Sequence, residues 1–292
     1  MQNYESNNTE NFTPQPPIKK DILPSVPAAV SPNNPPWNSP TALAVWFASF
    51  LLILFVPFVL VIPYIILNRQ NSLESFQSDP MVILLSIIGI IPAHILTLVL
   101  AWAVVTHSNK YSFQDVLGWR SGGFVWWHHL IILGGFFVVA AIVGYFLPAQ
   151  ENELVRILRS SRTVVYFVAF MATFTAPLVE EVVYRGVLYP AAQRVMGMFW
   201  AVIVVSLLFI LPHVVQYRQN LAVIAVIATI GFALTIVRAR TGRLLPCFVM
   251  HAVFNGLQAI SLVAAPYFTQ PTGAGGKEVN AMLFTFVAKF LS

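Results

Sequence analysis

Residues 42–67 read ALAVWFASFLLILFVPFVLVIPYIIL and contain no charged side chain. A helix needs about 20 consecutive apolar residues to cross the hydrocarbon core of a bilayer, and this run is long enough. Open strands would leave backbone N–H and C=O groups unpaired in lipid, so the run is expected to be helical. It therefore predicts the first transmembrane helix of an integral membrane protein.

Similar apolar runs recur along the rest of the chain. Six more are long enough to cross a bilayer, at 81–105, 130–147, 164–188, 199–215, 221–237 and 244–265. A short final run at 281–291 fits a tilted or partly inserted eighth helix. The predicted fold class is all-α, a polytopic membrane helix bundle of seven or eight transmembrane helices.

The composition agrees with a membrane protein. Of the 292 residues, 58% are hydrophobic and 9% are charged, whereas a soluble domain carries about a quarter charged residues. The net charge of +5 comes from basic residues scattered at the ends of the apolar runs. This distribution argues against a nucleic-acid partner and favours contact with membrane lipids. Cys247 is the single cysteine, which excludes an intramolecular disulfide and a cysteine-based zinc site.

The chain divides into a polar tail and a helical bundle. Residues 1–40 are rich in Asn, Pro, Ser and Gln, which predicts a disordered tail without a cleavable signal peptide. Residues 41–292 are predicted to form the transmembrane bundle. Residues 151–162 fit either a short helix lying on the membrane surface or a basic loop. A slight excess of basic residues on one side predicts a cytoplasmic N-terminus in a bacterial-type inner (plasma) membrane.

Two adjacent carboxylates mark the run at 164–188. Of the eleven acidic residues, only Glu180 and Glu181 lie within an apolar run, and Arg185 follows them. Each such charge costs about 2.5 to 3.5 kcal/mol to insert, so the group requires a partner or a function. Glu181 and Arg185 stand at i and i+4 and are predicted to pair, with Glu180 turned about 100° away. Pro177 removes a backbone hydrogen bond just before the pair, which predicts a kink or an opening.

Polar residues in two later runs complete a predicted pocket. His213 ends the sequence Phe209-Ile-Leu-Pro-His213, and Asn255 follows His251 at i+4 on the same side of a helix. Polar groups at membrane depth face the bundle interior or a water-filled cavity. Glu180, His213, His251 and Asn255 are therefore predicted to converge in one pocket contributed by three helices.

These residues form three motifs in the order EExxxR, FxxxH and HxxxN. They read Glu180-Glu181-Val-Val-Tyr-Arg185, Phe209-x-x-x-His213 and His251-x-x-x-Asn255. The set resembles the signature of the CAAX-protease and bacteriocin-processing family (CPBP, or Abi), which includes the Ras-converting CAAX endopeptidases. The resemblance covers residues 164–263, the predicted catalytic core. It implies an intramembrane endopeptidase whose substrate is a peptide or membrane protein, including a lipidated one.

The resemblance also implies how the four pocket residues act. Glu180 and His213 would activate a water molecule, and His251 and Asn255 would stabilise the oxyanion. A general base typically contributes about 10²- to 10⁴-fold in rate, and an oxyanion donor contributes about 10²- to 10³-fold. No residue of the set needs to be a covalent nucleophile.

Four further residues are predicted to support the pocket. The resemblance implies that Glu181 and Arg185 brace the site, and a purely structural ion pair is the alternative. Tyr184, one turn after Glu180, is predicted to line the pocket. Phe209 is interpreted as a packing residue.

The mechanism implied by the resemblance requires no cofactor. Zinc is the alternative, with Glu180, His213 and His251 as three ligands and water as the fourth. Against zinc, the sequence contains no His-Glu-x-x-His motif, and asparagine is a poor zinc ligand. We therefore favour a mechanism without a metal.

Two functions of other classes stay open on the sequence alone. A non-catalytic membrane binding protein, such as a bacteriocin self-immunity protein, would keep its protective activity in a Glu180→Ala variant. A proton-coupled transporter would use Glu180 and the histidines as a proton relay. The absence of an evident internal sequence repeat counts against the transporter.

Overall fold

The computed structural model of the protein describes residues 29–68, 79–147 and 161–268. Within these ranges every secondary-structure element longer than an isolated β-bridge is a helix, which confirms the predicted all-α class. The predicted short run at 281–291 lies outside the described residues. So do residues 1–28 and most of the segment 151–162.

The helices follow one another with short connections. In chain order they are α1 (Ser39–Phe55), α2 (Phe58–Leu67), α3 (Pro80–Val105), α4 (Phe113–Leu117), α5 (Trp126–Phe146), α6 (Arg162–Phe170), π1 (Met171–Thr175), α7 (Ala176–Glu180), π2 (Glu181–Leu188), α8 (Tyr189–Gln216), α9 (Leu221–Thr241) and α10 (Leu245–Phe268). The segments π1 and π2 are π-helical, with backbone hydrogen bonds from residue i+5 to residue i.

Six helical stretches of the described residues are long and apolar enough to cross a membrane. They are Ser39–Leu67, Pro80–Val105, Trp126–Phe146, Arg162–Gln216, Leu221–Thr241 and Leu245–Ala264. The predicted count of seven or eight is therefore not confirmed. The difference arises because the predicted helices at 164–188 and 199–215 both fall in the 55-residue stretch Arg162–Gln216.

Gly197 interrupts this long stretch. Its φ of 76° and ψ of 170° lie outside helical geometry, in a region that glycine reaches at low steric cost. The chain therefore changes direction between the part that carries Glu180 and the part that carries His213.

Side-chain caps mark the beginning of three membrane helices, and a glycine marks the end of one of them. Asn38, Asp79 and Asn220 each accept a backbone N–H hydrogen bond in the first turn of α1, α3 and α9. These bonds satisfy donors that the first turn of a helix leaves unpaired. Gly242 ends α9 in the left-handed conformation with φ 65°, as is common at helix C-termini.

Residues 31–38, which we call the N-terminal strap, pack against the bundle before α1 begins. Trp37 is only 5% exposed, and its indole Nε1 donates to the carbonyl oxygen of Val187 at 3.0 Å. Arg194 donates to the carbonyl oxygens of Pro35 and Trp37 at 2.9 and 2.6 Å. The strap is thus fixed to π2 and α8 by one buried indole and one arginine.

The packed strap differs from the disordered tail predicted for residues 1–40. The prediction rested on the polar composition of residues 1–40, of which the structure describes residues 29–40. Composition does not reveal tertiary contacts such as the buried indole of Trp37 with its hydrogen bond to Val187, or the bonds from Arg194. The predicted boundary at residue 40 therefore does not match the point at which the chain joins the bundle.

Helix packing brings the three motifs to one region of the bundle. The segment π2 packs against α1 and α8, and α10 packs against α6, π1 and α9. Gly231 of α9 lets the chains approach closely, because a Cβ atom there would lie 2.8 Å from Cδ1 of Phe209. The first motif therefore contacts the helix of His213 through π2 and the helix of His251 through α7.

Candidate active site

A buried ion pair lies at the centre of the candidate site. Glu181 and Arg185 are both 0% exposed, and Arg185 Nη1 donates to Glu181 Oε1 at 3.0 Å. Arg185 also donates from Nε to Thr235 Oγ1 at 3.2 Å and from Nη2 to the carbonyl oxygen of Gly231 at 2.9 Å. The predicted i, i+4 pair is thus confirmed, and its arginine anchors π2 to α9.

His251 lies between the two glutamates. Its Nδ1 is 2.8 Å from Glu181 Oε1, and its Nε2 is 3.6 Å from Glu180 Oε2. A carboxylate that already accepts from arginine can only accept again, so the Nδ1 position of His251 carries the proton. The Nε2 separation is too long for a direct hydrogen bond. Glu181 therefore fixes the ring orientation of His251 and leaves Nε2 directed toward Glu180.

The two glutamates have different surroundings, although they are neighbours in sequence. The side chain of Glu180 is 28% exposed, whereas that of Glu181 is 0% exposed. Helix geometry explains the difference, because adjacent residues point about 100° apart. Glu180 is therefore the carboxylate that a water molecule or a substrate can reach.

His213 is oriented by its own helix. Its Nδ1 lies 2.9 Å from the carbonyl oxygen of Phe209. A carbonyl oxygen can only accept, so Nδ1 carries the proton and Nε2 keeps its lone pair in the neutral ring. Pro212, directly before His213, has no N–H to donate to the backbone. In its neutral form His213 is thus a hydrogen-bond acceptor through Nε2.

Phe209 connects the motif residues as a buried ring. It is 1% exposed, and its centroid lies 5.3, 5.2 and 6.1 Å from those of Tyr184, His213 and His251. The guanidinium carbon of Arg185 lies 4.2 Å from the same centroid, a cation–π distance. These contacts agree with the interpretation of Phe209 as a packing residue. They also place the ring of Tyr184 against Phe209, beside the other motif residues.

Asn255 is held against π1. Its Nδ2 donates to the carbonyl oxygen of Ala172 at 2.9 Å. The bond uses one of the two amide N–H groups and leaves the second available. Ala172 lies in π1, where an i+5 pattern changes which carbonyl oxygens are free to accept.

Tyr217, directly after α8, is a residue that the sequence analysis missed. Burial and, to a smaller extent, the negative charge of Glu180 raise the pKa of Tyr217 to about 12. Its backbone N–H donates to the carbonyl oxygen of His213 at 2.7 Å. The phenol therefore keeps its proton at neutral pH and is a neutral hydrogen-bond donor within electrostatic range of Glu180.

The sequence analysis also missed two residues of α9 that contact the site. Gly231 and Thr235 are four residues apart and receive hydrogen bonds from Arg185. Small residues at this spacing often mark close helix contacts in membranes. That spacing is the sequence signal that could have assigned α9 to the site.

The structure does not assemble the alternative zinc ligands into one set. Among the described residues, no group of three His, Cys, Asp or Glu side chains is placed to hold a metal ion. His251 uses Nδ1 to contact Glu181, and His213 uses Nδ1 to contact its own helix. Zinc-binding histidines have the same kind of Nδ1 contact and bind the metal through Nε2, so the mechanism without a metal stays a prediction.

The comparison with protein families identifies this region. Residues 162–257 match the family model described as type II CAAX prenyl endopeptidase, Rce1-like. The matched residues contain all three motifs, so the predicted resemblance is confirmed over this part of the chain, and it supports a protease function. No curated protein and no solved structure matched the chain.

Proposed function

We propose that the protein, whose residues 162–257 form an Rce1-like CAAX protease domain, is an integral membrane endopeptidase that uses water activated by Glu180 and His213. The observation that carries the proposal is the position of His251. One of its nitrogen atoms contacts the buried Glu181 at 2.8 Å, and the other faces the accessible Glu180 at 3.6 Å. A buried carboxylate, an oriented imidazole and an accessible carboxylate form a suitable set for acid–base chemistry.

Glu180 is the general base in this mechanism. Its side chain is partly exposed and accepts no hydrogen bond from any arginine that the structure describes, in contrast to that of Glu181. The unprotonated Nε2 of His213 is a second acceptor for the same water molecule. Two acceptors orient the oxygen lone pair of the water toward the carbonyl carbon that it attacks.

His251 and Asn255 are the oxyanion donors in this mechanism. Asn255 has a second amide N–H beyond the one that contacts Ala172. For the donor role His251 also carries a proton on Nε2, and the carboxylate of Glu181 then faces a positively charged ring. The arrangement resembles the carboxylate–histidine contact that orients the imidazole in serine proteases.

The proposed reaction conserves protons and forms no covalent intermediate with the enzyme. Glu180 takes one proton from the water while the hydroxide oxygen bonds to the scissile carbonyl carbon. When the tetrahedral intermediate breaks down, the C–N bond cleaves and the protonated Glu180 gives its proton to the departing amine. The products are a carboxylic acid and an amine, which exchange a proton to become a carboxylate and an ammonium group, and Glu180 returns to its starting state.

The substrate that we propose is a CAAX-type peptide segment that carries a lipid and reaches the site from the membrane. The family match supports this class. We further propose that the N-terminus is cytoplasmic in an inner (plasma) membrane, on the basis of the slight excess of basic residues on that side.

The proposed function is tested with the purified full chain in liposomes and two fluorogenic CAAX peptides, one prenylated and one not. We expect the wild type to cleave the prenylated peptide and the His213→Ala variant to lose this cleavage, because the water then has one acceptor fewer. If the correctly folded wild type cleaves neither peptide, the proposed protease function is wrong. Substrate-dependent proton flux in the same liposomes would instead favour the transporter.

A metal chelator gives a separate prediction. We expect 1,10-phenanthroline and EDTA to leave the rate of the reconstituted wild type unchanged, because in the proposed mechanism Glu180 and His213 activate the water without a metal. The rate is measured before treatment, after treatment, and after addition of zinc. Loss of activity that zinc restores would show that the metal-free mechanism is wrong.

A further inference from the structure

The guanidinium of Arg238 is buried beside the candidate site with neutral hydrogen-bond partners. Arg238 is 0% exposed. Its Nε donates to the carbonyl oxygen of Arg185 at 3.0 Å, and its Nη1 and Nη2 donate to Asn33 Oδ1 and the carbonyl oxygen of Pro32 at 3.0 and 2.6 Å. Burying a charge is costly, so a group with these contacts calls for a structural or functional reason.

The backbone of π2 supplies that reason at the carbonyl oxygen of Arg185. In an α-helix this oxygen would accept from the N–H of Tyr189, but that N–H donates to the carbonyl oxygen of Tyr184. In a π-helix it would accept from residue 190, which is Pro190 and has no N–H. The transition from π2 to α8 thus leaves the oxygen without an intrahelical donor, and Arg238 provides one.

The N-terminal strap provides a second hydrogen-bond donor to the backbone of π2, and it also holds Arg238 in place. Trp37 donates to the carbonyl oxygen of Val187, two residues further along π2. Asn33 and Pro32 accept from the two terminal nitrogen atoms of Arg238, which orients its third nitrogen toward π2. The strap, Arg238 and π2 therefore form one continuous hydrogen-bonded unit.

The π-helical geometry matters for the site because it sets the helical register. A π-turn contains one residue more than an α-turn, so a return to α-geometry would rotate residues before the turn by about 100° relative to those after it. Glu180 ends α7 and Glu181 begins π2, and α8 with His213 follows the end of π2. The register of π2 therefore controls how the glutamates face the histidines.

We propose that Arg238 and the N-terminal strap are positioning elements of the active site, which hold π2 in its π-helical register and so aim Glu180 and Glu181 at His251. The expected effect on catalysis rests on the proposed function, whereas the expected effect on the backbone of π2 does not. Arg238 acts through π2 and is not itself a catalytic residue. The segment before α1 is thereby coupled to the site through the bonds of Asn33, Pro32 and Trp37.

The experiment uses the full chain in liposomes and compares Asn33→Ala with Ser39→Ala. Both variants remove one side-chain hydrogen bond at this end of the chain, but Ser39 contacts the carbonyl oxygen of Ala191, beyond π2. We expect Asn33→Ala to lower kcat by about 10- to 10²-fold at a nearly unchanged KM, because misalignment affects the reacting groups. We expect Ser39→Ala to keep the wild-type kcat.

Hydrogen–deuterium exchange gives a readout that does not depend on activity. We expect the backbone amides of residues 181–191 to exchange faster in Asn33→Ala than in Ser39→Ala. Equal exchange in the two variants would overturn the proposal, and so would an equal loss of kcat. If the wild type cleaves no peptide, the proposed function fails while the exchange result still decides the role of the strap.

Rescue at Arg238 itself separates positioning from simple stability. Arg238→Met removes every donor, whereas Arg238→Lys keeps a positive charge and a donor that can reach one of the three oxygen atoms. We expect the lysine variant to recover part of the kcat that the methionine variant loses, per amount of folded protein. Equal kcat in the two variants would contradict a donor role for Arg238.

Discussion

Replacement of Glu180 by glutamine is expected to lower kcat by about 10²- to 10⁴-fold, the contribution typical of a general base. The substitution keeps the shape of the side chain and removes its ability to take a proton. The fold should persist, because Glu180 is partly exposed and its described polar contact is the 3.6 Å approach to His251. The measurement is the initial rate of cleavage of the prenylated peptide in liposomes, normalised to folded protein.

Asp115→Asn is a matched control for the glutamine variant. It also converts a carboxylate to an amide, but Asp115 is exposed and pairs with Arg120 in α4 and its following loop. We expect its kcat to equal that of the wild type. If Glu180→Gln also keeps the wild-type kcat, Glu180 is not the base and the proposed mechanism is wrong.

The pairing within motif one could be predicted from sequence because it depends on local geometry. An i, i+4 spacing places Glu181 and Arg185 on one face in any nearly helical backbone, and the structure has that pair at 3.0 Å. The same local argument separates Glu180 from Glu181. The all-helical fold is predictable in the same way, because lipid permits few other backbone arrangements.

The partner of His251 could not be predicted, because it depends on how α10 packs against π2. The sequence analysis grouped His251 with Asn255 and placed Glu181 apart as a brace. In the structure Glu181 contacts both Arg185 and His251, whereas Asn255 contacts the backbone of π1. Side-chain spacing along one helix carries no information about the angle and depth at which a second helix approaches.

The π-helical segments were also beyond prediction from residue pattern. Pro177 indicated a local break, but the wider turns lie at π1 and π2 on either side of it. A π-turn changes which carbonyl oxygens have an intrahelical donor, and the others need a donor from elsewhere. Here the donors come from Arg238 and Trp37, which are far from π2 in sequence.

Replacement of Arg185 by methionine is expected to lower the free energy of unfolding by about 3–5 kcal/mol, the usual cost of leaving one partner of a buried ion pair unpaired. Glu181 would keep a single described contact, to His251, while remaining fully buried. The bonds of Arg185 to Thr235 and Gly231 would be lost as well. The measurement is an unfolding titration of the purified chain in mixed detergent micelles.

A double variant identifies the cause of the loss. Glu181→Gln combined with Arg185→Met removes the buried negative charge together with its partner, so it should unfold at a higher denaturant concentration than Arg185→Met alone. Arg120→Met, which breaks the exposed pair with Asp115, should leave the unfolding midpoint nearly unchanged. If the double variant is as unstable as Arg185→Met, then packing against Phe209 and α9, rather than the charge of Glu181, accounts for the stability that Arg185 contributes.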